Sequence, residues 1–241
     1  MRAIGGNIVL SRYIGDKHVI ARYVGEERIF IDYLRQGLIH QFDGLNNIGT
    51  GTFDPNADVW VDLVSGVEAT LQDVSWFNFG VLFSSTTSKV FYSGENVQQY
   101  TIFNTHKVTS FSGSHPRIFG ENPYPSQYLS SNHDYAYGLY GQDRDAPFIP
   151  HTIPTLNTVV QTAMRFGDSG LVDLFYNGIL TATLLNVTAF PSPVPTMYIG
   201  CRGTNDRTFT GEIYEHLVYN RPLDNDAIYH NFLVSKQRYS I

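Results

Sequence analysis

Paired carboxylates are the first residues in this 241-residue chain whose spacing invites chemistry. Glu212 and Glu215 lie in one apolar run, residues 209–219. Two carboxyls cleave a glycosidic bond when they face each other across the sugar, roughly 5 Å or 6.5–9.5 Å apart. On a regular strand, residues three apart point to opposite faces. The spacing therefore predicts structural roles, Glu212 in a surface ion pair and Glu215 capping a network or a rim. Histidines 18, 40, 106, 115, 133, 151, 216 and 230 are scattered, with none two or four residues from another. No local zinc-ligand spacing results. Cys201 is the only cysteine, which excludes an intrachain disulfide and a cysteine-based metal site. Polar loops remain. Asp143, Arg144 and Asp145 in the loop 141–145, and Asn205 and Asp206 in the loop 200–207, are the candidate ligand-binding residues. Loops at the end of a rigid sheet commonly carry recognition.

The elements that must position those loops read as strands. The chain has 16 Tyr, 16 Phe, 21 Gly and 11 Pro, a balance that favours an all-β fold rich in turns. Strand candidates recur at 76–83, 89–92, 99–104, 117–119 and 135–140, separated by Ser, Thr and Gly. Two hairpins follow. Residues 158–166 turn through Gly167-Asp168-Ser169-Gly170 into 171–176, and Asn177-Gly178 signals a type I′ turn into 179–185. In the run 209–219, alternation puts Ile213, Glu215, Leu217 and Tyr219 on one face and Tyr214, His216 and Val218 on the other. Residues 224–238 fit a helix with Asp224 as N-cap, and Ile228 and Phe232 together on its inner face.

The opening segment is different. Tyr13-Ile14-Gly15-Asp16-Lys17 is echoed by Tyr23-Val24-Gly25-Glu26-Glu27, and a β-rich run follows each, as in consecutive hairpins. Residues 1–40 carry a net charge of +2 and residues 41–241 a net charge of −8. The sign change supports a division into a hairpin module at 1–36, for anchoring or oligomerisation, and a main domain at 37–241. The overall charge of −6 gives no support for nucleic-acid binding, and no apolar stretch is long enough to span a membrane. Residues 1–10 lack the apolar run of a signal peptide, so synthesis and folding in a cytosol are expected.

Several of these residues carry a resemblance. Tyr198-Ile199-Gly200, then Phe209-x-Gly211-x-Ile213-x-Glu215, then Tyr219-Asn220-Arg221-x-Leu223 resembles the closing signature of laminin-G-like, concanavalin A-like jelly-roll domains. Phe42-Asp43-Gly44 and Trp60-Val61-Asp62-Leu63 resemble their opening, with Val64 intervening before Ser65-Gly66. The resemblance covers residues 38–241 and implies an antiparallel β-sandwich with a β-rich N-terminal module and a C-terminal helix. It also implies no cofactor beyond a structural calcium, for which Asp143, Asp145 and Asn205-Asp206 are the candidates and solvated turns the alternative. Glycosidases of the same fold set their acids at alternating positions on one strand, and no such pattern occurs here. Gly167-Asp168-Ser169-Gly170 coincides with the nucleophile tetrapeptide of trypsin-like proteases, but the histidine context of that family is missing and a hairpin loop needs the same residues.

What the resemblance implies for function is a non-enzymatic, lectin-like module. Cytosolic synthesis beside a family that is usually displayed outside cells suggests a bacteriophage virion protein, a fibre or capsid decoration. Its N-terminal segment would contact other virion proteins and form a homo-oligomer, a trimer by preference, and its loops would contact host glycans. A decoration protein without ligand and a carbohydrate-active enzyme are the alternatives.

Overall fold

The structure, a computed structural model, describes residues 12–14, 17–19, 21–24, 27–30, 32–94, 99–111, 115–120, 126–129, 135–138, 154–167, 170–184, 196–202 and 207–241. The strands are β1 (Arg12–Ile14), β2 (Lys17–Val19), β3 (Ala21–Val24), β4 (Glu27–Phe30), β5 (Leu38–Asp43), β6 (Val59–Val61), β7 (Glu68–Gln72), β8 (Ser75–Phe77), β9 (Gly80–Phe83) and β10 (Lys89–Ser93). They continue with β11 (Tyr100–Val108), β12 (Arg117–Gly120), β13 (Ser126–Leu129), β14 (Tyr135–Gly138), β15 (Val159–Phe166), β16 (Val172–Tyr176), β17 (Ile179–Leu184), β18 (Thr196–Ile199) and β19 (Gly211–Tyr219). One helix, α1 (Asn225–Tyr239), follows.

Two antiparallel sheets form the sandwich. One runs β14-β13-β12-β18-β10-β7-β6; the other runs β17-β16-β15-β11-β19-β9-β8, with β5 also paired to β19. Alternation along the strands divides the apolar residues into two layers. Phe42, Trp60, Val81, Phe83, Val90, Phe119, Val160, Leu174, Ile199, Phe209 and Val218 fill the space between the sheets. Phe103, Ala163, Phe175, Leu217 and Tyr219 face the other way, where Ile228 and Val234 of α1 and Tyr33 and Leu38 cover them. The larger sheet is thus buried on both faces. That explains why all nine residues of β19 are buried.

Asp224 caps α1 as the sequence predicts, its carboxylate accepting from Ala227 N at 2.7 Å. Asn177 and Gly178 both take positive φ and Tyr176 pairs with Ile179, which is the expected type I′ turn. The N-terminal echo forms two separate hairpins, β1–β2 and β3–β4. The Asp168-Ser169 turn lies outside the described residues.

Two readings are corrected. Residues 76–83 are not one strand but the hairpin β8–β9, with Phe77 opposite Gly80 and Asn78 and Phe79 forming the turn. Alternation also fails inside β19, where Glu215 pairs with Thr105 but Ile213 pairs with His106. Tyr214 is the extra residue of a β-bulge, which puts two consecutive side chains on one face. Ile213 therefore joins His216 and Val218 toward the inter-sheet core. Tyr214 joins Glu215, Leu217 and Tyr219 beneath α1, where its ring lies 5.7 Å from that of Tyr239. Among the described residues no helix is long and apolar enough to cross a membrane, which leaves open a crossing by strands.

Candidate functional site

The two acids singled out by spacing share a face after all, because the bulge lies between them. Glu212 is buried rather than at the surface, paired with Lys107 Nζ at 2.6 Å and accepting from the Tyr214 hydroxyl. Glu215 is fully buried under α1, where its Oε2 accepts from Thr105 Oγ1 at 2.9 Å and from Ser235 Oγ at 2.7 Å. Burial pushes its carboxyl up to about 7; the Asp43 charge adds to this, and the Tyr33, Ser235 and Thr105 hydroxyls oppose it. Asp43 in turn accepts from Arg238 and from the Tyr239 hydroxyl. These groups join α1 to the sheet, so Glu215 belongs to a structural network, as the sequence suggests.

A second polar set lies between the sheets. Asp62 accepts from His40 Nδ1 at 2.7 Å, from the backbone of Gln41 at 2.7 Å and Val64 at 3.0 Å, and from Ser65. Burial works against its charge, yet these bonds outweigh burial and hold the carboxyl down at about 2. His216 is neutral, since burial lowers its ring to about 3, with His40 adding to that. Its Nδ1–H donates to Asn104 Oδ1 at 2.8 Å while Nε2 accepts from the Tyr92 hydroxyl at 3.0 Å. Phe42-Asp43-Gly44 and Trp60-x-Asp62 thus carry architecture. Asp62, His40, His216, Asn104 and Tyr92 are all buried.

One exposed aromatic face lies where β8 ends the larger sheet and β6 ends the smaller. Four aromatic rings step from the core to the surface there. Trp60, fully buried, meets Trp76 edge-on at 5.5 Å; Trp76 meets Phe53 at 5.9 Å; Phe53 meets Phe79 at 4.9 Å. Each contact is edge-to-face, the arrangement that aromatic quadrupoles prefer. Trp76 Nε1 donates to Ala57 O at 2.9 Å, which ties the polar loop 47–58 to the same stack. At its end Phe79 is 46% exposed, and Phe77, on the other side of the hairpin, is 49% exposed. Phe79 also has φ +65, a left-handed conformation that a bulky residue rarely adopts. The turn is held from below by Gly44, where a Cβ would come within 1.7 Å of Phe79 O.

Loop geometry around the stack is set by side-chain amides and carboxylates. Asn47 Nδ2 donates to Asp54 O and Asn47 Oδ1 accepts from Asp54 N, at 2.7 and 2.8 Å. Asn46 Oδ1 accepts from Gly51 N at 2.7 Å, and Asp54 Oδ1 accepts from Asn56 N at 2.8 Å. A rigid exposed ring beside amide and carboxylate groups suits a ligand with one apolar face and several hydroxyls.

The residues expected to bind ligand or calcium from sequence, Asp143, Arg144, Asp145, Asn205 and Asp206, all lie outside the described residues. Sequence reasoning did not find Phe79. The available signal was Asn78 before Phe79-Gly80, a turn residue breaking an apolar run. Among the described residues no three His, Cys, Asp or Glu side chains gather as a metal site.

The two antiparallel sheets define a jelly-roll β-sandwich, and comparison places the chain in a family. A profile for the concanavalin A-like lectin/glucanases superfamily, of laminin-G type, matches residues 86–229. The chain belongs to that superfamily. No curated protein matches it in sequence. Similar solved structures include Trypanosoma rangeli sialidase in complex with sialic acid, at 17% identity and a TM-score of 0.68, covering 92% of this chain and 36% of that one. The same sialidase with 2,3-difluorosialic acid matches at 18% identity and 0.66, covering 84% and 33%. The binding domain of botulinum neurotoxin serotype D matches at 16% identity and 0.60, covering 81% and 51%. The chain therefore spans about a third of the sialidase and half of the toxin domain, and the likeness is one of fold.

Proposed function

We propose that this protein is a non-enzymatic glycan-binding module of a bacteriophage particle, a fibre or capsid decoration that contacts host glycans through the rim around Phe79. One observation carries the binding reading: an exposed ring, fixed by an aromatic stack rooted in the core, kept in a backbone conformation that glycine would occupy more easily. Strain of about 1–3 kcal/mol persists where surrounding structure enforces it, and it clusters at ligand contacts. The solved neighbours add support, since a sialidase holding sialic acid and a toxin binding domain share the fold. The non-enzymatic reading draws on how the two acids of β19 are used. Glu215 and Glu212 lie buried in contacts to α1 and to Lys107. The hairpins β1–β2 and β3–β4 are the proposed attachment to other virion proteins and to sister copies, a trimer by preference. Multivalency of that kind raises weak single-site sugar affinity.

A glycan array with the full chain and with Phe79→Gly tests the reading. Glycine relieves the left-handed backbone and restores an Asn-Gly turn, so the variant folds. Binding should fall on the order of tenfold or more, which corresponds to about 1.4 kcal/mol. Unchanged binding by the variant removes the rim from the site. Turnover of polysaccharides by the pure chain would replace the module with an enzyme.

A further inference from the structure

The segment that builds the rim is one-sided in charge. Residues 41–88 hold six acids, Asp43, Asp54, Asp58, Asp62, Glu68 and Asp73, and not one Lys, Arg or His. This segment supplies the aromatic stack and its loop. Two of the six are neutralised inside the fold, Asp43 by Arg238 and Asp62 by its bonds to His40 and the backbone. Asp54 and Asp58 remain at the rim, Asp54 half-buried and Asp58 exposed. Asp54 follows Phe53 of the stack in sequence, and Asp58 follows Ala57, whose carbonyl receives the Trp76 indole. Arg238, which reaches the neighbourhood through Asp43 beside Gly44, is occupied by that carboxylate.

Resting on the glycan-binding reading, we propose that the Phe79 rim is specific for neutral glycans and discriminates against sialylated and other anionic ones. A sugar ring would lie on Phe79 while its hydroxyls donate to the acceptors of the loop. Residues 41–88 supply no cation to balance a carboxylate on that sugar where it would meet Asp54 and Asp58, and like charges brought together disfavour the wrong partner. The same carboxylates are good acceptors for neutral hydroxyls, since bonds to ionised acceptors are the stronger ones. The rim therefore selects by charge what it recognises by shape.

The test is a titration of the full chain with neutral oligosaccharides, each matched by its sialylated form, at low and high salt. The neutral member should bind on the order of tenfold more tightly. That gap should shrink at about 1 M salt, where the Debye length falls to about 3 Å. It should also shrink in the double variant Asp54→Asn, Asp58→Asn, in which the amide oxygen at position 54 still caps the backbone of Asn56. Equal or tighter binding of the sialylated forms overturns the charge argument and leaves glycan binding intact. A gap that the double variant does not change overturns it as well. No binding of either form removes the glycan-binding reading and this inference together.

Discussion

Replacing Glu215 by glutamine should remove a loss of stability that grows from acid to neutral pH, so the variant gains on the native protein across that range. The amide keeps an oxygen for the Thr105 and Ser235 hydroxyls and removes the ionisable proton. In the unfolded chain the glutamate titrates near its ordinary 4.5; in the fold burial raises it to about 7. Between those values the folded state retains a proton that the unfolded state has released. Stability therefore falls as pH rises from 4.5 to about 7, and is level beyond. At ~1.4 kcal/mol for each tenfold in proton affinity, the loss reaches about 3 kcal/mol. That is a large share of the ~5–15 kcal/mol that holds a domain folded. His216 and His106, which burial lowers to about 3 and about 4, tilt the pH profile the other way, but both proteins share them and the difference cancels. Urea unfolding of the two proteins at about pH 4.5, 6 and 8 measures the gap. A constant gap across that range, or a native protein gaining on its variant as pH rises, would refute the argument.

Gly44→Ala should displace the β8–β9 turn, because its Cβ would sit 1.7 Å from Phe79 O and 2.9 Å from Tyr214 O. The variant should lose roughly 1–3 kcal/mol of stability from overpacking. Its glycan affinity should drop with the shifted ring, read by the same titrations and by near-ultraviolet dichroism of the tryptophans. Deleting residues 1–31 should lower the mass in solution to that of one copy, measured by light scattering. An unchanged mass would take the N-terminal hairpins out of assembly.

Local signals in the sequence reached the elements whose cause is local. Asn177-Gly178 specifies its turn by backbone preference, and Asp224 its helix start by capping, without help from the rest of the chain. The bulge at Tyr214 was not legible, since it is defined by what stands opposite: Thr105 and His106 lie more than a hundred residues earlier. The Glu215 network draws on residues near 33, 43, 105 and 235, which only the closed fold brings together. Phe79 was hidden because a run of aromatic residues looks like uninterrupted strand until the turn is known. For Glu215 the sequence left a network or a rim open, and the opposite-face spacing it was argued from fails at the bulge; the closed fold places it in the network.

β19 fits between β11 on one side and β5 and β9 on the other, yet it leaves the ribosome after every one of them. Until then the larger sheet has an open slot at its centre, flanked by strands with unsatisfied amides. Pairings that span so much of the chain make for slow folding. A nascent or shortened chain that stops before Gly211 would offer that slot to any other extended peptide, the exposure that a sheet whose middle arrives at the end must pass through.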